Sequence, residues 1–216
     1  MYLIIVGLGG IGKNLVDIAS KHKNDVVVID QDEAKCREIA AKYDVLTIAG
    51  DSTERSTLEE AEAGRAHALI ATTSDDAANL MMALTAKELG TKRTVAIVNQ
   101  QEHVEMFKEA GIYMFENPDM TVASHLYYSV KRPKIKDFLT VSGGKAEIFE
   151  VIVSEESKAV GKKLSKLRIK QGIVVAIQRN GDIILPMGDT VINKHDLVTL
   201  FAKTKNVEKV SQLFAP

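Results

Sequence analysis

The chain has 216 residues, 45% of them hydrophobic, with 28 Lys and Arg against 29 Asp and Glu and a formal charge of −1. That apolar content suits packed cores and excludes a disordered chain, and the balanced charge argues against a dedicated nucleic-acid binder, which carries a clear basic excess. No run reaches the roughly 18 consecutive apolar residues of a membrane-spanning helix. No basic leader precedes the first strand, and the lone Cys36 rules out an internal disulfide and suits a reducing cytosol.

The first predicted strand, Leu3–Val6, runs straight into Gly7-Leu8-Gly9-Gly10-Ile11-Gly12, and a helical pattern follows over Ile11–His22. A strand, G-x-G-x-x-G and a helix in this order form a dinucleotide-binding fingerprint. Gly7 allows the tight turn, Gly9 lets the backbone approach a pyrophosphate, and Gly12 lets helix and strand pack closely. Gly10 and Ile11 complete the cradle, because the new helix aims its free N–H groups and positive dipole end at phosphate. The second strand, Val26–Ile29, ends on Asp30, 18 residues past Gly12, where a carboxylate accepts hydrogen bonds from an adenosine ribose. Gln31 and Asp32 follow, with no Arg to pair a 2′-phosphate, which favours NAD over NADP.

A helix over Asp32–Lys42 carries Cys36, read as a structural thiol. The third strand, Val45–Ala49, leads into Gly50-Asp51-Ser52-Thr53 at the strand edge that lines the crevice of a doubly wound sheet, so Asp51 and Ser52 face the adenine side and also suit the N-cap of a helix over Ser56–Glu62. The fourth strand, Ala68–Ala71, ends in Thr72 and Thr73 at the same edge, where their hydroxyls reach a ribose or pyrophosphate or simply cap the loop. Helices over Ala77–Leu89 and Gln101–Ala110 and strands over Thr94–Val98 and Tyr113–Phe115 complete the pattern. Asp75 or Asp76 serves as N-cap, and Gly90 and Gly111 as C′ glycines. Six short apolar strands with five crossovers describe a doubly wound, parallel-sheet Rossmann domain of α/β class.

A helix over Met120–Lys131, delimited by Pro118 and Pro133, spaces Met120, Val122, Ala123, Leu126, Tyr127 and Val130 three and four apart. It reads as a connecting helix with a face to give to another subunit. Beyond it, strand-like runs at Phe138–Val141, Ala146–Val153, Ile173–Gln178, Asp182–Leu185 and Leu197–Ala202 and a helix at Val207–Leu213 describe a small α+β domain, with Asn180-Gly181 a strong hairpin signal. The expected division is 1–132 and 137–216.

Catalytic frames are weak. Tyr127 and Lys131 match the Y-x-x-x-K acid/base pair of short-chain dehydrogenases, but the glycine pattern differs and the partner Ser falls at Met114, so helix packing is the better reading. The five histidines are dispersed with no metal-ligand spacing, no P-loop frame exists, and Glu54, Glu59, Glu60 and Glu62 read as a solvated face. An NAD-dependent oxidoreductase stays as the competing class.

Taken together, Tyr2–Gly12, Val28-Ile29-Asp30-Gln31-Asp32, Gly50-Asp51-Ser52-Thr53 and Asp75-Asp76-Ala77-Ala78-Asn79-Leu80 resemble the N-terminal domain of RCK proteins, regulators of potassium conductance. Gly161-Lys162-Lys163-Leu164, Ile173–Ile177 with Arg179-Asn180-Gly181, and Pro186–Ile192 with Asp196-Leu197 are similar to the family's second domain. The resemblance implies a cytoplasmic regulatory subunit, without catalysis, at the inner face of the membrane. It implies NAD(H), or ATP/ADP, in the crevice, dimers assembling into a ring of eight, and a Trk/Ktr-type potassium channel or transporter as partner. One departure is Asn99, where many members carry an Arg or Lys toward phosphate; Lys13 and Lys35 are the other nearby charges.

Overall fold

In the computed structural model, which describes residues 1–216, the first apolar runs become β1 (Tyr2–Val6), β2 (Asp25–Asp30) and β3 (Leu46–Ala49), separated by α1 (Gly10–Lys21) and α2 (Glu33–Lys42). Next come α3 (Arg55–Glu60), β4 (Ala68–Ala71), α4 (Asp76–Leu89), β5 (Thr94–Ile97), α5 (Val104–Glu109) and β6 (Met114–Glu116). All six strands are parallel, in the order β3-β2-β1-β4-β5-β6. The strand order reverses beside β1, which places a crevice at the carboxyl ends of β1 and β4. Both faces are covered. Ile4 and Val6 pack with Leu69, Met82 and Phe107 on one side, while Leu3 and Ile5 pack with Val16, Val28 and Ile39 on the other, which is why these strands read as continuous apolar runs.

Helix ends follow their side chains. Asp32 accepts from Ala34 N and Lys35 N to start α2, Asp75 accepts from Ala78 N to start α4, and Gly90 closes α4 in the left-handed region. The connecting helix is α6 (Pro118–Lys131). The second sheet is antiparallel. It comprises β7 (Ile135–Val141), β8 (Ala146–Ile152), β9 (Gly172–Arg179), β10 (Asp182–Ile184) and β11 (Leu197–Lys203), in the order β10-β9-β11-β8-β7. A one-turn α7 (Leu164–Leu167), not foreseen from the sequence, precedes β9, and α8 (Val207–Ser211) follows β11. Asn180 and Gly181, at φ +52 and +90, form the predicted hairpin turn between β9 and β10. Phe149, Val151, Ile177, Val198, Leu200, Val210 and Phe214 are its core.

The chain divides into two compact units, Met1–Thr121 and Val122–Pro216. Contacts therefore group most of α6 with the second unit, whereas its place in the sequence, ahead of Pro133, groups it with the first. The apolar stripe of α6 stays open in this chain. None of its residues is buried; Tyr127 is 61% and Val130 84% exposed. Lys131 Nζ sits 5.7 Å over the face of the Tyr127 ring, a cation–π contact.

Candidate nucleotide crevice

The glycine turn divides into a buried half and an open half. Gly7 has φ +93 and donates its N–H to Ile29 O at 2.9 Å, and a Cβ there would meet the Thr72 and Thr73 backbone at 3.1–3.2 Å. A Cβ on Gly12 would lie 1.7 Å from Gly7 O. Around Gly9 and Gly10, by contrast, nothing lies within 4 Å of an added Cβ. Gly9 is the N-cap of α1 and has no side chain to cap with; its carbonyl accepts from Lys13 N at 3.0 Å. The N–H groups of Gly10, Ile11 and Gly12 precede the first i−4 carbonyl of the helix and carry its partial positive charge. The open half is therefore a cradle of donors with room above it, and its residues fit a pyrophosphate.

Asp30 stands at the end of β2 with both carboxylate oxygens engaged by main chain. Oδ2 accepts from Leu8 N at 2.5 Å and Oδ1 from Asp32 N at 2.8 Å. The carboxylate thus ties the glycine turn to the β2 end, and Asp30 stays half-buried there. Asp51 does not cap α3, as its spacing had suggested; Glu54 holds that position without a side-chain bond. Instead Asp51 Oδ1 accepts from Thr53 N and Oγ1 at 2.9 and 2.7 Å. The Thr53 hydroxyl, then its N–H, hold the Asp51 carboxyl below the usual carboxylate range, with the exposed Gln31 adding to this. Ser52 is buried.

Thr72 and Thr73 both turn inward. The Thr72 hydroxyl, itself buried, shares its hydrogen between Val6 O and Gly7 O at 2.9 and 3.0 Å. The Thr73 hydroxyl donates to Asn79 Oδ1 at 2.7 Å. Behind them stand Asp76, which the sequence offers only as an alternative N-cap, and Asn79, to which it gives no role beyond the resemblance. Asn79, fully buried, also accepts from Thr73 N and donates to Thr73 O and Ile97 O. Asp76, 5% exposed, accepts from Asn99 N and Nδ2 at 2.7 Å, from Gln100 N at 3.0 Å, and pairs with His103 Nδ1 at 2.8 Å. Burial alone would raise the Asp76 pKa, but those N–H donors and His103 outweigh it and hold it low. Together Asp76 and Asn79 brace the β4 and β5 ends, and Asn99 serves that network. The D-D-x-x-N-L pattern carried this signal.

Lys13 is paired with Glu38 at 2.8 Å and Lys35 with Asp32 at 3.9 Å, so neither is a free cation beside the cradle. Cys36 is buried with Sγ 3.7 Å from Asp30 O and Ile48 O, and burial pushes its thiol pKa up. Nowhere do three His, Cys, Asp or Glu converge as metal ligands, and no helix is long and apolar enough to cross a membrane.

Residues 3–118 match the TrkA-N domain family and residues 148–215 the TrkA-C domain family. The chain belongs to the TrkA family. It is 34% identical over 215 residues to a Trk system potassium uptake protein TrkA homolog of Methanothermobacter thermautotrophicus, covering 99% of both chains. It is also 34% identical to a TrkA homolog of Archaeoglobus fulgidus, of which it spans 50%. Among solved structures, the GsuK channel bound to NAD superposes with a TM-score of 0.69 at 19% identity, over 99% of this chain and 39% of that one. That likeness is one of fold and agrees with the RCK architecture expected of a TrkA chain.

Proposed function

We propose that this TrkA chain is a nucleotide-sensing regulatory subunit of a potassium uptake system, with NAD(H) as its ligand and ATP or ADP as the alternative. The observation that carries the reading is the match over the full length of a potassium uptake homologue, joined to an open glycine cradle at the β1 end. Gly10, Ile11 and Gly12 hold the pyrophosphate by main-chain N–H groups, Gly9 leaves room for its approach, Gly7 and the close packing at Gly12 shape the turn that presents them, and Asp30 receives the ribose. Gln31, Asp51 and Ser52 border the adenine side. Thr72 and Thr73, their hydrogens committed inward, shape the far half. The GsuK channel structure bound to NAD supports the same ligand class here.

Bound dinucleotide supplies binding energy and charge, with no hydride transfer. A ligand shifts a conformational equilibrium only by its differential affinity for the two states. A tenfold preference contributes about 1.4 kcal/mol per site and multiplies over coupled subunits. The exposed apolar stripe of α6 (Met120, Val122, Leu126, Val130) supplies a face for a second copy, on the way to a ring that acts on a Trk/Ktr-type membrane partner from the cytoplasm. In domain terms, residues 1–132 sense and residues 137–216 assemble or take a second effector.

The test is thermal unfolding of the purified chain with NAD, NADH, ATP, ADP and a cyclic dinucleotide, followed by potassium uptake in cells carrying the transporter with and without this chain. A ligand at 100 times its Kd stabilises by about 2.7 kcal/mol, so the true ligand stands out. No shift with any adenine nucleotide, or turnover of NADH with a reducible metabolite, overturns the reading.

A further inference from the structure

The near-neutral chain is built from two oppositely charged units. Met1–Thr121 holds 12 Lys and Arg against 20 Asp and Glu, and Val122–Pro216 holds 16 against 9. Such an asymmetry between halves points to an external partner of one sign. In the acidic unit much of the charge is spent locally: Asp17, Glu33, Glu38, Glu59, Glu62 and Glu105 each pair with a Lys or Arg of the same unit.

The basic unit is different. The ion pairs of this unit are Arg132–Glu147, Arg179–Asp196, and Lys194 and His195 with Glu155. Arg168, Lys170, Lys203, Lys205 and Lys209 take no part in them, and all five are exposed. Pairing of Gly172 with Ala202 and of Ile173 with Phe201 brings the start of β9 against the end of β11 and so gathers these cations from distant parts of the chain. Lys170, Lys203 and Lys205 line a hollow of about 610 Å³ that includes Ile169, Ile173 and Phe201. Arg168, Lys170 and Lys209 line a neighbouring hollow of about 170 Å³ with Val210 and Leu213. No carboxylate lines either one. Glu208, the acid next in sequence, lines a separate hollow with Lys131, Arg132 and Lys134.

Five unpaired cations around an aliphatic floor, with Ile173 61% and Leu213 40% exposed, match an anionic amphiphilic surface. Phosphate head groups accept from the ammonium and guanidinium donors, and the aliphatic side chains enter the interfacial layer. Single-stranded nucleic acid is the poorer match, because its bases stack on exposed aromatic rings, and the one ring here, Phe201, is only partly exposed.

We propose that this face of the second unit docks on an anionic phospholipid bilayer. The proposal goes beyond the nucleotide reading and stands on the charge distribution, so either can fail without the other. Each cation near an anionic bilayer strengthens binding about five-fold. The experiment is co-sedimentation of the full chain with phosphatidylglycerol/phosphatidylcholine vesicles and with phosphatidylcholine vesicles, at low salt and again near 0.15 M, where the screening length is about 8 Å. Expected are binding to the anionic vesicles alone, weakening with salt, and a loss of about 25-fold in Lys170→Gln/Lys205→Gln, two cations removed. Lys170→Arg/Lys205→Arg keeps the binding, as does Lys42→Gln/Lys92→Gln in the first unit. Four results overturn the proposal: no binding to anionic vesicles; an unaffected Lys170→Gln/Lys205→Gln variant; displacement from vesicles by inorganic phosphate or by duplex DNA bound more tightly; or a change in oligomeric state in that variant with vesicle binding intact.

Discussion

Alanine at three glycines of one turn separates what holds the fold from what meets the ligand. In Gly12→Ala the new Cβ falls 1.7 Å from Gly7 O and 3.0 Å from Thr72 Oγ1. A carbon–oxygen contact needs about 3.3 Å, so α1 must withdraw from the turn by about 1.5 Å. The turn itself has little room to yield, since Gly7 is held at φ +93 by its bond to Ile29 O and its carbonyl accepts from Thr72. Overpacking of about 1–3 kcal/mol plus a weakened Thr72 hydrogen bond of about 1 kcal/mol gives an expected loss of about 2–4 kcal/mol. Gly9→Ala and Gly10→Ala meet open space and should stay within about 1 kcal/mol of the parent, the scale of an N-cap or helix-propensity change. Urea unfolding followed by circular dichroism reads stability, and calorimetry with NAD reads affinity. Gly12→Ala should unfold early, while Gly9→Ala and Gly10→Ala should fold normally and bind poorly, because their methyl groups occupy the phosphate approach. An unfolding midpoint in Gly12→Ala equal to the parent's, or undiminished NAD affinity in Gly9→Ala and Gly10→Ala, would refute the reasoning.

Asp30→Ala should weaken NAD binding by about 1.5–3 kcal/mol, the scale of hydrogen bonds to a charged group, and equal affinities by calorimetry would remove Asp30 from the site. Asp76 has a folded-state pKa below its unfolded value of about 3.9, so its contribution is complete above that value and is lost as pH falls through the folded one. The melting temperature of Asp76→Asn should therefore lie below the parent's at neutral pH, with the gap closing under acid conditions; a gap constant with pH contradicts this. Arg132 and Glu147, both at least nine-tenths buried, pair at 2.6 Å. Glu147→Ala should cost about 3–5 kcal/mol by stranding the guanidinium, and adding Arg132→Met should recover much of it; additive losses in a double-mutant cycle would argue against the pairing.

Much of the first unit was legible because its signals are local. A tight turn needs Gly7, an N-cap needs Asp32 or Asp75, and strands buried on both faces read as apolar runs whatever their neighbours. The Asn180-Gly181 turn was legible for the same reason. Contacts between distant segments were not. Asp76 and Asn79 look like ordinary helix-start residues until β5 brings Asn99, Gln100 and His103 against them. Asp51 has the spacing of a cap, yet Thr53 competes for its oxygen and Glu54 takes the helix start. The stripe on α6 reads as a face for another subunit, and within one chain it stays exposed.

By itself, then, the sequence determined the order of the strands and of every helix but α7, the place of the glycine turn and the acid at the end of β2, because each depends on backbone geometry within a few residues. Only the tertiary structure decided which glycines pack and which stay open, and that the hydroxyls of Thr72 and Thr73 face inward. The reason is physical. Space and hydrogen-bond partners at these positions are set by β4 and α4, some sixty residues from the turn they support.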